Sequence, residues 1–241
     1  MDFLENKSEI DQNGFSIINS VYTSEEIDAI GKFIDAQNSS NPTFRKLEDL
    51  FAIRQFLKEL PDIKSLVFNE KLKSVIKSIA GEDYFIVKSI YFDKPEKSNW
   101  FVAYHQDLTI SVDKKENIEG FGPWTSKHNQ FAVQPTLDIL QNIFTIRIHL
   151  DETDENNGAL KVVDGSHSKN IYRPETIDWK IEKESFCNVE AGGIMIMKPL
   201  LLHGSNRTLN NKRRRVIHIE FSNKTLPNKI NWSEYLEIWN N

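Results

Sequence analysis

The chain changes its dominant hydrophobic period near Tyr84, from helical to β-like, and that change limits the folds open to it. Before it, "TSEEIDAIGKFIDAQ" sets Ile27, Ile30 and Ile34 at helical spacing behind a Thr23 or Ser24 N-cap, with Glu25 and Glu26 in the first turn. "LEDLFAIRQFLKEL" and "NEKLKSVIKSIAGE" read as helices too, the second closed by Gly81, while "GFSIINSVY" ahead of them alternates like a short strand. After Tyr84 come short β-rich runs: "YFIVKSIYF", "WFVAYHQDLTISV", "IFTIRIHLD", "ALKVVDG", "GGIMIMKP" and "RRVIHIEFS". Gly, Pro and Asn/Asp clusters separate them, as turns require. The pattern predicts an all-β barrel or sandwich with helices packed on one outer face. With 241 residues, 39% of them hydrophobic, one domain can close a core, with a helical part over about 1–83 and a β-rich part over about 84–225.

Charge and cysteine usage narrow the partners. The formal net charge of −5 gives no nucleic-acid surface. The basic run Lys212 to Arg215 is too short to be a tail, so each of its residues needs its own explanation. A lone cysteine, Cys187, forms no intramolecular disulfide and fits a reducing, cytoplasmic setting. The polar, acidic N-terminus and the lack of a long apolar run predict neither export nor a membrane span.

The chemistry is carried by histidine and carboxylate. In "NWFVAYHQDLTI", a strand would put His105 and Asp107 on one face and Gln106 on the other. Such a pair either satisfies itself by a hydrogen bond or ligates one metal with a third residue from elsewhere. His149 and Asp151 repeat the triplet in "RIHLDE", where Asp151 opens the acidic run "DETDENNG" and reads as a solvated turn residue. His203 ends the apolar run "MIMKPLLLHGSN" beside a tight turn, well placed to reach a metal from a barrel wall. His218 lies mid-strand on the face of Arg214, Val216 and Glu220; His128 and His167 read as loop residues.

Four segments in order, His105-Gln106-Asp107, "LDETDENNGALKVVDGSH", "GGIMIMKPLLLHGSN" and "RRRVIHIEF", resemble the phytanoyl-CoA dioxygenase family of Fe(II)- and 2-oxoglutarate-dependent oxygenases, from about Gly14 to about Phe221. The resemblance implies a double-stranded β-helix, or cupin-like jelly roll. It also implies Fe(II) ligation by His105, Asp107 and His203 in a 2-His-1-carboxylate triad that leaves positions for a 2-oxo acid and O2. The family places an arginine eleven residues after the distal histidine, where Arg214 stands; a planar, permanent cation suits the distal carboxylate of 2-oxoglutarate. Ser205 matches a family position that bonds the same carboxylate, and Gln106 matches a common family residue, although its parity on the strand turns it away.

Strand parity adds expectations of its own. Arg214, Val216 and His218 should face inward, with Ile217, Ile219 and Phe221 under the helices. Arg147, inward with Thr145 and His149, is a candidate for the cosubstrate's other end; Arg54 is a further candidate, and a salt bridge to a neighbouring acid is the alternative for both. His218 should touch substrate or cosubstrate, or else pair with Glu220. The insert Gly120–Pro135 is a lid candidate, and its Phe121 and Trp124 are candidate walls for a small-molecule or lipid-like substrate. Trp100 reads as a core plug. The resemblance implies hydroxylation with release of succinate and CO2, since related halogenases lack the carboxylate that Asp107 provides. Two alternatives stay open: a cupin-like metalloenzyme that does not use 2-oxoglutarate, and a silent binding protein.

Overall fold

The computed structural model describes residues 3–37, 44–47, 50–95, 101–127, 130–210 and 212–239. Two of the expected helices form with their expected caps. Ser24–Asp35 begins at a capping box in which the Thr23 hydroxyl accepts from the Glu26 N–H and the Glu26 carboxylate accepts from the Thr23 N–H. Glu70–Ala80 is capped by Asn69, whose side chain accepts from Leu72 N–H at 2.8 Å, and stops at Gly81 with φ of 88°. A helix over Leu4–Asn13 was not anticipated, because Ile10 alone of its residues is buried and no apolar stripe announces it.

The segment read as a helix over 47–60 is largely something else. Leu50–Arg54 is a strand hydrogen-bonded to Phe85–Lys94; Gln55, at φ of 52°, breaks the direction, and only Phe56–Glu59 is helical. The open edge of a long strand outweighed the local helical spacing, a tertiary effect that periodicity does not contain.

The strands are β1 (Phe15–Ile18), β2 (Phe44–Leu47), β3 (Leu50–Arg54), β4 (Phe85–Lys94), β5 (Val102–His105), β6 (Ile110–Val112), β7 (Trp124–Lys127), β8 (Gln130–Val133), β9 (Ile143–His149), β10 (Leu160–Val163), β11 (Glu184–Cys187), β12 (Ile194–Met197), β13 (His203–Ser205) and β14 (Arg214–Ser222). They build a seven-stranded sheet, β1-β12-β9-β14-β4-β3-β2, and a four-stranded sheet, β11-β10-β13-β5, each antiparallel throughout. Chain-distant strands are neighbours in both, as in a double-stranded β-helix, and a small third sheet, β6-β8-β7, flanks them. The part before residue 84 therefore supplies three strands of the main sheet as well as helices.

The main sheet has two chemically different faces. Ile146, Ile148, Ile194, Ile196, Ile217 and Ile219 are fully buried against a helical layer that includes Ile30, Leu72 and Ile76. Each such side chain contributes about 1.5–3 kcal/mol on burial, which fixes the register of the whole sheet. Antiparallel pairing then forces the alternate residues to the inner face: Val216 opposite His149, His218 opposite Arg147, Glu220 opposite Thr145. Among the described residues, no helix is long and apolar enough to cross a membrane.

Candidate metal centre

The strand read through "WFVAYHQDLTISV" ends at His105; β5 and β6 belong to different sheets, and Asp107 lies in the link between them. There the Asp107 N–H donates to Pro199 O at 2.9 Å, which turns the carboxylate toward the barrel interior in place of strand parity. Across from it, β13 pairs with β5 so that His203 faces His105. Gly204 makes that approach possible, since a Cβ on it would sit 2.8 Å from Val102 O.

His105, Asp107 and His203 converge, with one ligand atom from each lying within 4.8 Å of the others. His105 Nδ1 stands 2.9 Å from Ala103 O and His203 Nδ1 stands 2.9 Å from Leu201 O. A carbonyl can only accept, so both rings carry their proton on Nδ1 and present the Nε2 lone pair inward. The two Nε2 atoms stand 4.0 and 3.7 Å from the Asp107 carboxylate oxygens, too far for a good hydrogen bond and suited to three ligands sharing a cation. Burial pushes His203 down to about 4 against the pull of Asp107. Burial also works against the Asp107 anion, yet His203, Lys88 and His218 hold its carboxyl down to about 2. His203 is thus held as a neutral imidazole and Asp107 as an ionised carboxylate, the protonation states a metal needs.

The triad opens on a cavity of about 300 Å³ rich in buried cations. Arg214, in register with Lys94, reaches it from β14 and donates to Gly158 O. Burial and the neighbouring Arg147 bring Arg214 down to about 9, while burial and Arg214 bring Lys94 down to about 8. Arg147 enters from β9, its Nη1 3.2 Å from His218 Nδ1, and His218 Nε2 lies 3.0 Å from Glu220. Glu220 also accepts from Lys88 at 2.7 Å. Gathering cations in low dielectric is costly without an anion to neutralise them, so this end of the cavity is built for a ligand with negative charge.

A family model described as phytanoyl-CoA dioxygenase matches residues 10–216. The chain belongs to the phytanoyl-CoA dioxygenase family. Within that family it is 22% identical over 199 residues to the phytanoyl-CoA dioxygenase domain-containing protein 1 homolog of Caenorhabditis elegans, and 24% over 198 residues to that of Caenorhabditis briggsae. Each match covers 73% of this chain and 60% of the relative, so the chain spans under two thirds of their length. Its fold is shared with EctD from S. alaskensis with bound Fe, at a TM-score of 0.68 and 16% identity, covering 90% of this chain and 75% of that one. HygX from Streptomyces hygroscopicus, with nickel and 2-oxoglutarate bound, gives 0.62 and 14%, covering 90% and 86%.

Of the residues singled out in the sequence, His105, Asp107, His203, Ser205, Arg214, Arg147 and His218 together line a single cavity of this family member. Gln106 does not: its amide donates to Asn170 O and Leu200 O and accepts from Tyr172 N–H, bracing the link that carries Asp107. Arg54 lines a neighbouring cavity instead. Phe121 and Trp124 pack on a second apolar cluster around Ile110, Val112 and Val133, because the insert is a hairpin of β7 and β8 joined to β6. The insert singled out as a lid candidate is thus a β-hairpin joined to a small sheet. Trp100 and His128 lie outside the described residues. Asp151, read as solvated, accepts three hydrogen bonds from Arg215 at 2.7 to 2.9 Å. Lys88 and Lys94 went unnoticed; their signal was lysine recurring with Ile90 and Phe92 at every second position of an apolar strand.

Proposed function

We propose that this chain is an Fe(II)- and 2-oxoglutarate-dependent dioxygenase that hydroxylates a small molecule and releases succinate and CO2. The observation that carries the reading is the shared cavity: two Nε2 lone pairs and one carboxylate at one end, buried cations at the other. In this assignment His105, Asp107 and His203 hold the iron, with their rings oriented by Ala103 O and Leu201 O. Arg214, beside Ser205 and Lys94, takes the distal carboxylate of 2-oxoglutarate; its fork matches a carboxylate, and its burial makes the bond charge-assisted in a dry site. Arg147 shares the cavity with Arg214 and the triad, on the strand position opposite His218, and interacts electrostatically with both Arg214 and Asp107, so it supports negative charge near the metal. When bound, iron and 2-oxoglutarate supply the oxidising power, coupling decarboxylation to delivery of one atom of O2 to a C–H bond. The protein's part is binding, orientation and exclusion of water.

A cupin-like metalloenzyme without a 2-oxo acid has no use for Arg214, whose side chain is buried among other cations at the end of the metal cavity. An anaerobic titration separates the two readings. Fe(II) followed by 2-oxoglutarate should raise a visible metal-to-ligand charge-transfer band, with saturation at one equivalent of each. Metal binding without that band, and no succinate formation in air, would reject the proposal.

A further inference from the structure

Four side chains beside the triad join into one chain of hydrogen bonds that the metal and cosubstrate assignments leave unexplained. Arg147 Nη1 lies 3.2 Å from His218 Nδ1, His218 Nε2 lies 3.0 Å from Glu220 Oε1, and Lys88 donates to the same oxygen at 2.7 Å. The register builds it. His218 pairs across with Arg147 on β9, Glu220 pairs across with Lys88 on β4, and the two stand on one face of β14. Phe92 meets the His218 ring at 89°, with centroids 6.2 Å apart, and packs it in place. Lys88, at the far end, also lines the neighbouring cavity.

Donor chemistry gives the chain a direction. A guanidinium can only donate, so His218 Nδ1 carries the lone pair and the ring proton sits on Nε2, facing Glu220. Burial works against the Glu220 anion, yet Lys88 and His218 hold its carboxyl below its ordinary range. Burial likewise holds the His218 ring below its own, against the pull of Glu220. This tautomer is the reverse of the one in His105 and His203, whose protons sit on Nδ1. His218 therefore lines the metal cavity with its lone pair already spent on Arg147. Arg147 depends on that lone pair. Arg213 and Arg215 each hold a carboxylate and Arg214 holds Gly158 O. Among the described residues, His218 is the one hydrogen-bond partner of Arg147, whose Nε is buried without an acceptor. The guanidinium nevertheless shares the cavity with the triad, feels Asp107 and acts on Arg214.

We propose that His218 is a positioning residue for the cosubstrate: with its ring proton held on Nε2 by Glu220, it spends the Nδ1 lone pair on aiming the Arg147 guanidinium at the 2-oxo acid. The assignment rests on the Fe(II)/2-oxoglutarate reading. It divides the cosubstrate between two cations, Arg214 for the distal carboxylate and Arg147 for the end nearer the triad. The opposite tautomer would set an Nδ1–H against a guanidinium N–H, donor against donor, and turn Arg147 away.

The first readout is the tautomer itself, from long-range proton–nitrogen correlations of the full chain labelled with 15N-histidine, metal-free and at neutral pH. The His218 signals are assigned by their loss in His218→Asn. We expect a proton on Nε2 alone; a proton on Nδ1, or on both nitrogens, would overturn the proposal. The second readout is the 2-oxoglutarate Kd, taken from the charge-transfer band of protein loaded anaerobically with Fe(II). His218→Asn sets an amide oxygen near the Nδ1 position, and should keep the Kd within about twofold, less than the weight of one hydrogen bond. His218→Gln sets its amide near Nε2, keeps a donor for Glu220 and leaves Arg147 without an acceptor. Its Kd should rise roughly three- to tenfold, the weight of that bond. Arg147→Gln should raise the Kd at least as much, and His218→Gln added to it should change little more, because the histidine acts through the arginine. A Kd unmoved by His218→Gln, equal losses from the Asn and Gln variants, or additive losses in the double variant would overturn the proposal, whatever the fall in Tm. Absence of the band in the unaltered protein would instead sink the Fe(II)/2-oxoglutarate reading, and this assignment with it.

Discussion

The triplet His-x-Asp occurs twice, as His105-Gln106-Asp107 after β5 and as His149-Leu150-Asp151 after β9, and the two copies have opposite fates. At the first, β13 brings His203 opposite His105, and the three donors converge. At the second, Asp151 is claimed by Arg215, and His149 sits with Nδ1 2.7 Å from the Thr153 hydroxyl. Burial together with the nearby Arg147 and Arg214 holds His149 well below its ordinary range, and the same cations would repel a metal. The difference lies outside both triplets: a site forms where the strand across supplies a third donor and the surroundings tolerate a cation.

The strongest way to break this comparison is to remove the residue that only one copy has. His203→Ala and Asp107→Ala should abolish stoichiometric Fe(II) binding in an anaerobic metal titration, while His149→Ala should retain it. The reverse pattern would move the metal to the second triplet.

Next in size is the arginine run. Arg214→Ala should raise the 2-oxoglutarate Kd by roughly one to two powers of ten, since one charge-assisted bond is worth about 1.5–3 kcal/mol. Arg213→Ala and Arg215→Ala should leave it nearly unchanged, because Arg213 is paired with Asp93 at 2.6 Å and Arg215 with Asp151 at 2.7 Å, away from the cavity. Equal losses from all three would replace a specific clamp by a diffuse basic field.

His218→Asn probes the inner wall between the triad and Glu220. Fe(II) and 2-oxoglutarate should bind nearly as before and succinate should still form, with product per succinate falling severalfold. A stability loss of about 1 kcal/mol with coupling intact would reduce His218 to a hydrogen-bonding partner of Glu220.

The smallest effect belongs to the second triplet's carboxylate. Asp151→Asn should leave metal and cosubstrate titrations alone and cost about 1 kcal/mol or less, because its pair with Arg215 is only half-buried. A drop in Tm of a few degrees in a thermal melt would agree with that. Loss of metal binding would show that the two triplets are coupled.

Most of the β architecture was legible because burial writes a period into strands. Ile217, Ile219 and Phe221 reach the helical layer, and Arg214, Val216 and His218 reach the cavity, as alternation requires. Arg214 could be told from Arg213 and Arg215 on the same ground. Failures occurred where a contact distant in sequence overrode a local pattern: β3 in place of a helix, and Arg54 at a second cavity. Gln106 lies past the end of β5, where strand parity no longer applies, and its amide serves the backbone of Asn170, Tyr172 and Leu200.

The sequence by itself determined which face of each long strand is apolar and which residue types could chelate a metal, because side-chain period and donor chemistry are local properties. Only the tertiary structure decided which histidine completes the first triplet, which arginines are spent on Asp93 and Asp151, and that Lys88 stands at the junction of two cavities. Those outcomes depend on strand pairing between segments about a hundred residues apart, and the free energy of such pairing comes from the whole core, which no short stretch of sequence contains.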